Sequence, residues 1–278
     1  MTSTVARITF EPRTIDAGGI ETSYLEAGSG ETVLMLHGSG PGVSALANWQ
    51  LNIPTLAHRF HVLAPDIVGF GATERPEDVV YSLRTWTDHV WAFMDAHGIE
   101  KARVIGNSLG GRIALQMVTD QPDRITRMVL MGTPGVGMTP TEGLAALRAY
   151  EPSHGAMRAL LRNYFAVNPA MITDELVKIR YEASIADGAY EAYRAMFFDP
   201  RHTGSDLGIT ENEVRAITTP TLLIHGREDK VVALQVSVTM LGLLPNADLH
   251  VFSECGHWTQ VERADEFSAV VTDYLGRS

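Results

Sequence analysis

Residues 103–111 read RVIGNSLGG, an apolar run that passes into a cluster of glycines around one serine. The central five residues, 106–110, fit the pattern G-x-S-x-G, which places a serine on a sharp turn between a strand and a helix. Glycine is needed in such a turn because side chains would clash there, and the following helix offers backbone N–H groups to a developing negative charge. We therefore predict that Ser108 is a displayed nucleophile rather than an ordinary serine where a strand meets a helix.

The rest of the chain alternates short apolar runs with stretches of helical periodicity. Apolar residues recur at positions 109, 113 and 117, a spacing of four, and Pro122 ends the predicted helix. Runs that are apolar on both faces suit a parallel sheet covered by helices, so we predict a doubly wound α/β core with a mostly parallel central sheet. The predicted buried strands are VLMLHG (33–38), HVLAPD (61–66), RVIGNS (103–108), RMVLMG (127–132), TLLIHG (221–226) and LHVFS (249–253).

One region interrupts this alternation. No buried strand is predicted between about 135 and 205, where Ala, Tyr, Met and Arg are frequent and the pattern is typical of several amphipathic helices. Turn-forming residues mark both ends, TPGVGMTP before and DPRHTGSD after. We predict a helical cap, 135–205, inserted between a first core part, 1–134, and a second core part, 206–278. Insertions at strand C-termini lie where α/β sheets bind ligands.

A serine nucleophile needs a base, and the chain has ten histidines. Most have no motif around them. His37 and His225 each end a predicted strand as His-Gly, where they can satisfy local backbone groups. His257 is different because it lies in SECGHWTQVE, a loop between the last predicted strand and a helix. That position brings it to the same edge of the sheet as the serine, so we predict that His257 is the base.

The base in turn needs an acid that fixes its tautomer and stabilises the imidazolium. Asp229, in HGREDKVV, follows the predicted strand 221–226. Glu228 is a rival for this role, and so is Asp66 after strand 61–66. We favour Asp229, because the order Ser108, Asp229, His257 is the order of the catalytic triad in α/β-hydrolases.

The turn after strand 33–38 has the sequence HGSGPG, residues 37–42. Glycines in this turn let backbone amides approach a substrate oxygen. We predict that the N–H of Ser39, or of its neighbour Gly40, pairs with the N–H of Leu109 to form an oxyanion hole. The alternative is a flexible Gly-Pro turn without a catalytic role.

Composition limits the partners of this chain. Its 278 residues include 22 Lys and Arg against 33 Asp and Glu, a formal charge of −11, which disfavours binding to nucleic acids and anionic membranes. No apolar run approaches the roughly 18 residues of a membrane span, and the first residues lack the apolar core of a signal peptide. With Cys255 as the only cysteine, neither disulfides nor a thiolate metal cluster is expected. We expect a cytoplasmic protein.

Four stretches together resemble the meta-cleavage product hydrolases, carbon–carbon bond hydrolases of the α/β-hydrolase fold from bacterial pathways that degrade aromatic compounds. These stretches are HGSGPGVSALANW, GNSLGG, GREDKVV and CGHWTQVE. The more specific features are SGPG followed by Asn48-Trp49, the Asn107 before the nucleophile and the Trp258 after the histidine. The resemblance covers nearly the whole chain, including KIRYEASI in the predicted cap.

The resemblance implies a reaction. Members of the family hydrolyse 2-hydroxy-6-oxohexa-2,4-dienoates, the products of extradiol ring opening, to 2-hydroxypenta-2,4-dienoate and a carboxylic acid. It implies a small-molecule dienoate as the partner, no metal and no organic cofactor. Family members are often dimers or higher oligomers, so the resemblance also implies a homo-oligomer.

The resemblance further implies substrate-binding residues. An arginine in the family's cap binds the substrate carboxylate, and this role falls on Arg180 in KIRYEASI. A planar guanidinium that stays charged suits a carboxylate, whereas a solvated arginine paired with a nearby glutamate is the alternative. Asn48 and Asn107 can donate to substrate oxygens, and Gly40 and Trp258 are expected to line the pocket.

Two other functions use the same residues. A carboxylesterase or lactonase would need the triad but not Arg180, and a non-catalytic binding protein on a hydrolase scaffold would hold a ligand with little turnover. The group on C6 of the substrate stays open among hydrogen, methyl, branched alkyl and aryl. Parts of the predicted cap, EGLAALRAYEPS with RYEASI, favour products of monocyclic aromatic compounds.

Overall fold

The central element of the structure is one eight-stranded sheet. The computed structural model describes residues 10–199, 201 and 207–277. The strand order is β1-β2-β4-β3-β5-β6-β7-β8, in which β2 is antiparallel to both β1 and β4 and the other neighbouring pairs are parallel. The strands are β1 (Arg13–Asp16), β2 (Glu21–Ala27), β3 (Thr32–Leu36), β4 (His61–Pro65), β5 (Ala102–Asn107), β6 (Ile125–Met131), β7 (Thr221–Gly226) and β8 (Ala247–Phe252).

Helices cover both faces of this sheet. The helices within the described residues are α1 (Ala45–Trp49), α2 (Ile53–Leu56), α3 (Leu83–Ala96), α4 (Leu109–Asp120), α5 (Glu142–Arg148), α6 (His154–Leu160), α7 (Asp174–Ser184), α8 (Ala189–Phe198), α9 (Glu211–Ala216), α10 (Leu234–Leu243), α11 (Thr259–Glu262) and α12 (Ala264–Leu275). None of the described helices is both long and apolar enough to cross a membrane.

The alternation of side chains along the strands explains the two-sided core. In β3, Val33 and Met35 pack into one hydrophobic cluster, and Leu34 and Leu36 pack into the other. Successive residues of a strand point to opposite faces, so a fully apolar strand needs cover on both sides. Residues of α3, α4 and α10 belong to one cluster, and residues of α1, α2 and α12 belong to the other. The predicted α/β architecture is therefore confirmed.

All six predicted strands exist, but one was described wrongly. The segment 249–253 falls in β8, which is only partly buried: Val251 is 38% exposed, because β8 is the last strand of the sheet and has a neighbour on one side only. The first two strands, β1 and β2, were not predicted. Both are antiparallel and carry polar residues, RTID in β1 and ETSYLEA in β2, so they lack the continuous apolar pattern of the parallel strands.

The segment between β6 and β7 contains no strand within its described residues. It begins with α5 to α8, with one π-helical turn, Leu161–Phe165, between α6 and α7. Side-chain N-caps explain where three of these helices begin: Thr141, Ser153 and Thr173 each accept a hydrogen bond from a backbone N–H three residues later. The predicted boundary between 205 and 206 lies outside the described residues, and the division into core and cap stays a prediction.

His89 of α3 is a buried histidine beside the sheet. His89 of α3 accepts a hydrogen bond from the Val68 N–H at Nδ1, 3.2 Å, and its Nε2 lies 2.8 Å from Thr22 Oγ1. Because the Thr22 hydroxyl donates to the Ile20 carbonyl, Nε2 carries the proton and the ring is neutral. Burial lowers the pKa of His89 to about 4.

Candidate active site

Ser108 occupies a strained turn at the end of β5. Its φ of 50° and ψ of −112° lie in a region that residues with a side chain rarely adopt. The Ser108 N–H donates to the Met131 carbonyl at 2.8 Å, and its own carbonyl accepts from the Arg112 N–H in the first turn of α4. Such strain persists only where surrounding structure imposes it, and it is frequent at functional sites. The predicted geometry around Ser108 is therefore present.

Close packing explains the glycines of this turn. A Cβ atom added to Gly106 would lie 2.5 Å from the Gly111 Cα, and one added to Gly110 would lie 2.2 Å from the Leu36 carbonyl oxygen. At Gly111 it would lie 2.0 Å from Thr133 Oγ1. No side chain fits at these distances, so the three glycines allow α4 to begin directly against β3 and β5.

His257 and Asp229 form a buried hydrogen-bonded pair. His257 Nδ1 lies 2.7 Å from Asp229 Oδ2, with the two side chains 3% and 1% exposed. A carboxylate only accepts, so Nδ1 carries the proton and Nε2 is left free as a base. The other oxygen, Asp229 Oδ1, accepts from the N–H groups of Val231 and Val232. Burial acts to raise the pKa of Asp229, but the neighbouring imidazoles outweigh it and hold this pKa well below its usual range.

The two rival acids make other contacts. Glu228 accepts hydrogen bonds from the Cys255 N–H and from Arg227 at the surface. Asp66 is buried, and it accepts from the backbone N–H groups of Ala45, at 2.6 Å, and Ala72. It therefore holds the loops after β3 and β4 together. Of the three candidate acids, Asp229 is the one that contacts the histidine.

The end of β6 brings the serine and the histidine to one place. Met131, the last residue of β6, accepts the hydrogen bond from the Ser108 N–H. A Cβ on the next residue, Gly132, would lie 3.0 Å from His257 Cε1 and 3.3 Å from Asp229 Oδ2. Ser108, Asp229 and His257 thus lie near the C-terminal end of one central strand.

The predicted oxyanion loop runs beside the serine. A Cβ added to Gly38 would lie 2.6 Å from Asn107 Oδ1 and 3.3 Å from the Ser108 Cβ. His37 anchors this loop, because its Nε2 accepts from the Ile67 N–H and its Nδ1 therefore donates to the Gly38 carbonyl. Burial lowers the pKa of His37 and keeps the ring neutral.

The second predicted donor of the oxyanion hole begins a helix. Leu109 is the first residue of α4, so its N–H has no carbonyl partner within that helix. On the loop after β3, Gly40 lies near the predicted cap, because a Cβ there would be 3.7 Å from Arg180 Nη2. The amides of Ser39 and Gly40 remain the alternatives for the first donor.

Arg180 of α7 is a buried cation that has no carboxylate partner among the residues that the structure describes. It is 5% exposed; its Nη2 donates to the Pro41 carbonyl at 3.0 Å, and its guanidinium lies 5.5 Å from the ring centre of Trp258. No carboxylate of the described residues lies within 4.0 Å of it, and its Nε has no hydrogen-bond partner among them. Burial lowers the pKa of Arg180 to about 10, so the group stays charged at neutral pH.

Two buried amides also have unused donors. Asn48 is 5% exposed and Asn107 is 2% exposed. The Nδ2 atom of each is buried, and neither has a hydrogen-bond partner among the described residues. A buried donor without a partner is unfavourable, so these two groups are available to a bound ligand.

The lone cysteine beside the histidine has no reactive character. Burial, together with the nearby Glu262, raises the pKa of the Cys255 thiol to about 12. In the part of the chain that the structure describes, no group of three or more His, Cys, Asp or Glu side chains is arranged to hold a metal ion.

Comparison with known proteins shows which family this chain belongs to. Residues 31–264 match the family model of the α/β hydrolase fold. The chain is 46% identical over 267 residues to the 2-hydroxymuconate semialdehyde hydrolase of Pseudomonas sp. (strain CF600), covering 96% of this chain and 94% of that protein. It is 41% identical to the 2-hydroxy-6-oxo-2,4-heptadienoate hydrolase of Pseudomonas putida F1, covering 95% of each.

A solved structure agrees with these relatives. The meta-cleavage product hydrolase of Pseudomonas fluorescens IP01, in a serine-to-alanine variant complexed with acetates, has a TM-score of 0.91 and 45% identity, covering 95% of this chain and 97% of that one. The chain belongs to the meta-cleavage product hydrolases. It is an enzyme of the α/β-hydrolase fold that hydrolyses a carbon–carbon bond, as the resemblance predicts.

Sequence patterns missed several contacts in this meta-cleavage product hydrolase. The carbonyl of Phe165 accepts from the N–H groups of His257, at 2.9 Å, and Trp258, and the Phe165 ring lies 5.5 Å from that of His257. Glu262 joins the same two segments, because its carboxylate accepts from the N–H groups of Gly256 and Val167. Glu262 ends the quoted motif CGHWTQVE, which was the one signal that pointed to it.

Proposed function

We propose that this hydrolase adds water across the C5–C6 bond of a 2-hydroxy-6-oxohexa-2,4-dienoate through the residues described above. The hydroxyl of water goes to the C6 acyl group and a proton goes to C5, which gives a carboxylic acid and 2-hydroxypenta-2,4-dienoate. The observation that carries the proposal is Arg180, a buried cation that contacts the loop beside the nucleophile and has no carboxylate of its own among the described residues. A substrate with a C1 carboxylate supplies that partner.

The triad and the oxyanion hole would act on the C6 carbonyl. Ser108 attacks this carbon while His257 Nε2 takes the serine proton. Asp229 holds the Nδ1–H tautomer of the histidine and stabilises the imidazolium that forms. The N–H of Leu109, with that of Ser39 or Gly40, stabilises the oxyanion, and loss of such donors costs roughly 100- to 1000-fold in rate.

The other half of the substrate must become an electron sink before the bond breaks. The dienol becomes a ketone at C2 and receives a proton at C5, so the electrons of the C5–C6 bond can pass into that ketone. We assign to Arg180 the C1 carboxylate, and to Asn48 and Asn107 the oxygen at C2 and the dienolate, because both amides have a free buried N–H. Gly40 and Trp258 line this part of the pocket. His257 later activates water to release the acyl group.

The names of the relatives support a small group at C6. A semialdehyde carries hydrogen there, and a 6-oxo-heptadienoate carries methyl; the proteins with these names are 46% and 41% identical to this chain. We therefore propose hydrogen or methyl at C6, which corresponds to a product of a monocyclic aromatic compound.

Three broader features belong to the same proposal. Residues 135–205 form a cap over the site, supported by the contact of the Phe165 carbonyl with the His257 loop. The protein works in the cytoplasm as a homo-oligomer, a dimer or larger, without a metal or an organic cofactor. The small-molecule dienoate is its partner, and nucleic acids and membranes are not.

The test is stopped-flow absorbance with two yellow dienoates, one with hydrogen or methyl at C6 and one with phenyl. We expect rapid loss of colour with a strong preference for the small substrate, and no turnover above background by Ser108→Ala. Equal rates on both substrates would contradict the proposal that the group on C6 is hydrogen or methyl. Near-wild-type turnover by Ser108→Ala would contradict the role of the serine, and turnover of simple esters alone would favour the carboxylesterase or lactonase alternative.

A further inference from the structure

A second histidine lies against the acid of the triad. His225 is the last residue but one of β7, before Gly226, and it is fully buried. Its Nε2 lies 2.8 Å from the Val232 carbonyl oxygen and 3.4 Å from Asp229 Oδ2, and its Nδ1 lies 2.7 Å from Ser237 Oγ on α10. The strand, the loop that carries the acid and α10 therefore meet at this one ring.

The contacts determine the tautomer of His225. A backbone carbonyl and a carboxylate accept hydrogen bonds and cannot donate them, so Nε2 must carry the proton, which it donates to the Val232 carbonyl at 2.8 Å, while Asp229 Oδ2 lies at a longer distance of 3.4 Å from the same Nε2. Nδ1 is then an acceptor, and the Ser237 hydroxyl donates to it. The Nε2–H of His225 thus faces Asp229 Oδ2, whereas the N–H groups of Val231 and Val232 donate to Oδ1.

We propose that His225 is a positioning residue that shares Asp229 Oδ2 with His257 and thereby limits how strongly the carboxylate stabilises the imidazolium. Each hydrogen bond to an ionised carboxylate stabilises the charged form and weakens what that form offers to another partner. Without the His225 donor, the imidazolium of His257 would be favoured over the neutral base. The inference rests on the proposed function, in which Asp229 and His257 belong to the triad.

Few ionisable groups on the neighbouring elements lie near His225 and Asp229. Helix α10, LQVSVTMLGL, contains no ionisable side chain, and the residue of β8 opposite His225 is the apolar Val251. The loop and helix after β8 contribute the Cys255 thiol and Glu262, both of which lie close enough to Asp229 to interact with its charge. All of these groups stay unchanged when His225 alone is substituted.

The test is the pH dependence of kcat/KM for dienoate hydrolysis in three variants. His225→Leu removes the donor, so the acid limb of the pH profile should move to higher pH by about 0.5 to 1 unit, the size expected for one lost hydrogen bond of ordinary strength, because the contact with Asp229 is long. His225→Gln keeps an N–H at the position of Nε2 and should restore the wild-type limb. Ser237→Ala removes the partner at Nδ1 but leaves Nε2–H, so its limb should not move.

A second measurement needs no variant. Nitrogen NMR of the wild-type histidines at about pH 8 should show His225 as the Nε2–H tautomer, because both groups that face Nε2 are acceptors. A population of the Nδ1–H tautomer would overturn the proposal, and so would an unmoved acid limb in folded His225→Leu. If Ser108→Ala and His257→Ala were active, the proposed function itself would fail. If Ser108→Ala and His257→Ala were inactive but the acid limb of the pH profile did not move in His225→Leu, only the role of His225 would be refuted.

Discussion

Substitution of Arg180 distinguishes a role in function from a role in stability. A buried charge without a carboxylate destabilises a fold, so Arg180→Met should remove function without loss of stability. The variant loses one hydrogen bond to the Pro41 carbonyl and one contact with the Trp258 ring. It also removes the free-energy cost of burying the guanidinium, the same burial that lowers the pKa of Arg180 to about 10.

The expected size of the functional loss follows from the pair that the substrate would complete. Truncating one partner of a buried, hydrogen-bonded charge pair costs about 2 to 5 kcal/mol, which corresponds to a decrease of roughly 30- to 5,000-fold in kcat/KM. Replacing a buried ionic group by an apolar side chain of similar volume is neutral or stabilising by about 1 to 4 kcal/mol. We therefore expect a Tm that is unchanged or a few degrees higher, since about 1 kcal/mol shifts Tm by roughly 2 to 4 °C in a chain of this size.

The assay compares a dienoate with p-nitrophenyl acetate, which carries no carboxylate to bind. Arg180→Met should lose dienoate turnover and keep ester turnover within about threefold, whereas Arg180→Lys, which keeps the charge but loses the planar fork, should fall between the wild type and Arg180→Met on the dienoate. A loss of less than tenfold on the dienoate would refute the carboxylate-binding role. A fall of Tm by more than about 10 °C would mean that Arg180 supports the fold instead.

Three further predictions follow from the same structure. Asp229→Asn should lower kcat by about 10⁴-fold, because the histidine loses its tautomer, and Glu228→Gln should stay within about threefold in the same assay. His89 is protonated below a pKa of 6.5 when unfolded but only below about 4 when folded, so stability is lost as pH falls through this window. In His89→Gln the decrease in unfolding free energy between pH 8 and 5, measured by urea titration, should be smaller by about 2 kcal/mol than in the wild type, and an equal decrease would contradict the assignment. Gly110→Ala should abolish turnover, since its Cβ would lie 2.2 Å from the Leu36 carbonyl, whereas Gly242→Ala in α10, with nothing within 4 Å, should leave turnover unchanged and raise Tm slightly.

Local sequence patterns were sufficient to predict much of the fold and to select three candidate site residues. The apolar runs of β3 to β7 are buried on both faces, so their composition alone indicates a covered parallel sheet. The glycines around Ser108 and the positions of Asp229 and His257 just after strands are also visible in sequence, because the C-terminal ends of parallel strands meet at one edge. Strands β1 and β8 lie at the edges of the sheet, where a continuous apolar pattern is not needed, so β1 was missed and the burial of β8 was misjudged. Strand β2 is internal, but it was missed because it pairs antiparallel and contains polar residues.

The sequence by itself determined which residue types stand at the ends of the strands, and the order Ser, Asp, His. The tertiary structure decided which of them touch. Glu228 and Asp229 are adjacent and chemically alike, yet the partly exposed Glu228 accepts from the backbone N–H of Cys255 and the buried Asp229 contacts His257, because the turn after β7 points their side chains in different directions. Arg180 reaches the Pro41 carbonyl across 139 residues of chain, a contact that depends on how α7 packs over the loop after β3. Periodicity and turn chemistry act over a few residues, and such long-range contacts arise only when the whole chain has packed.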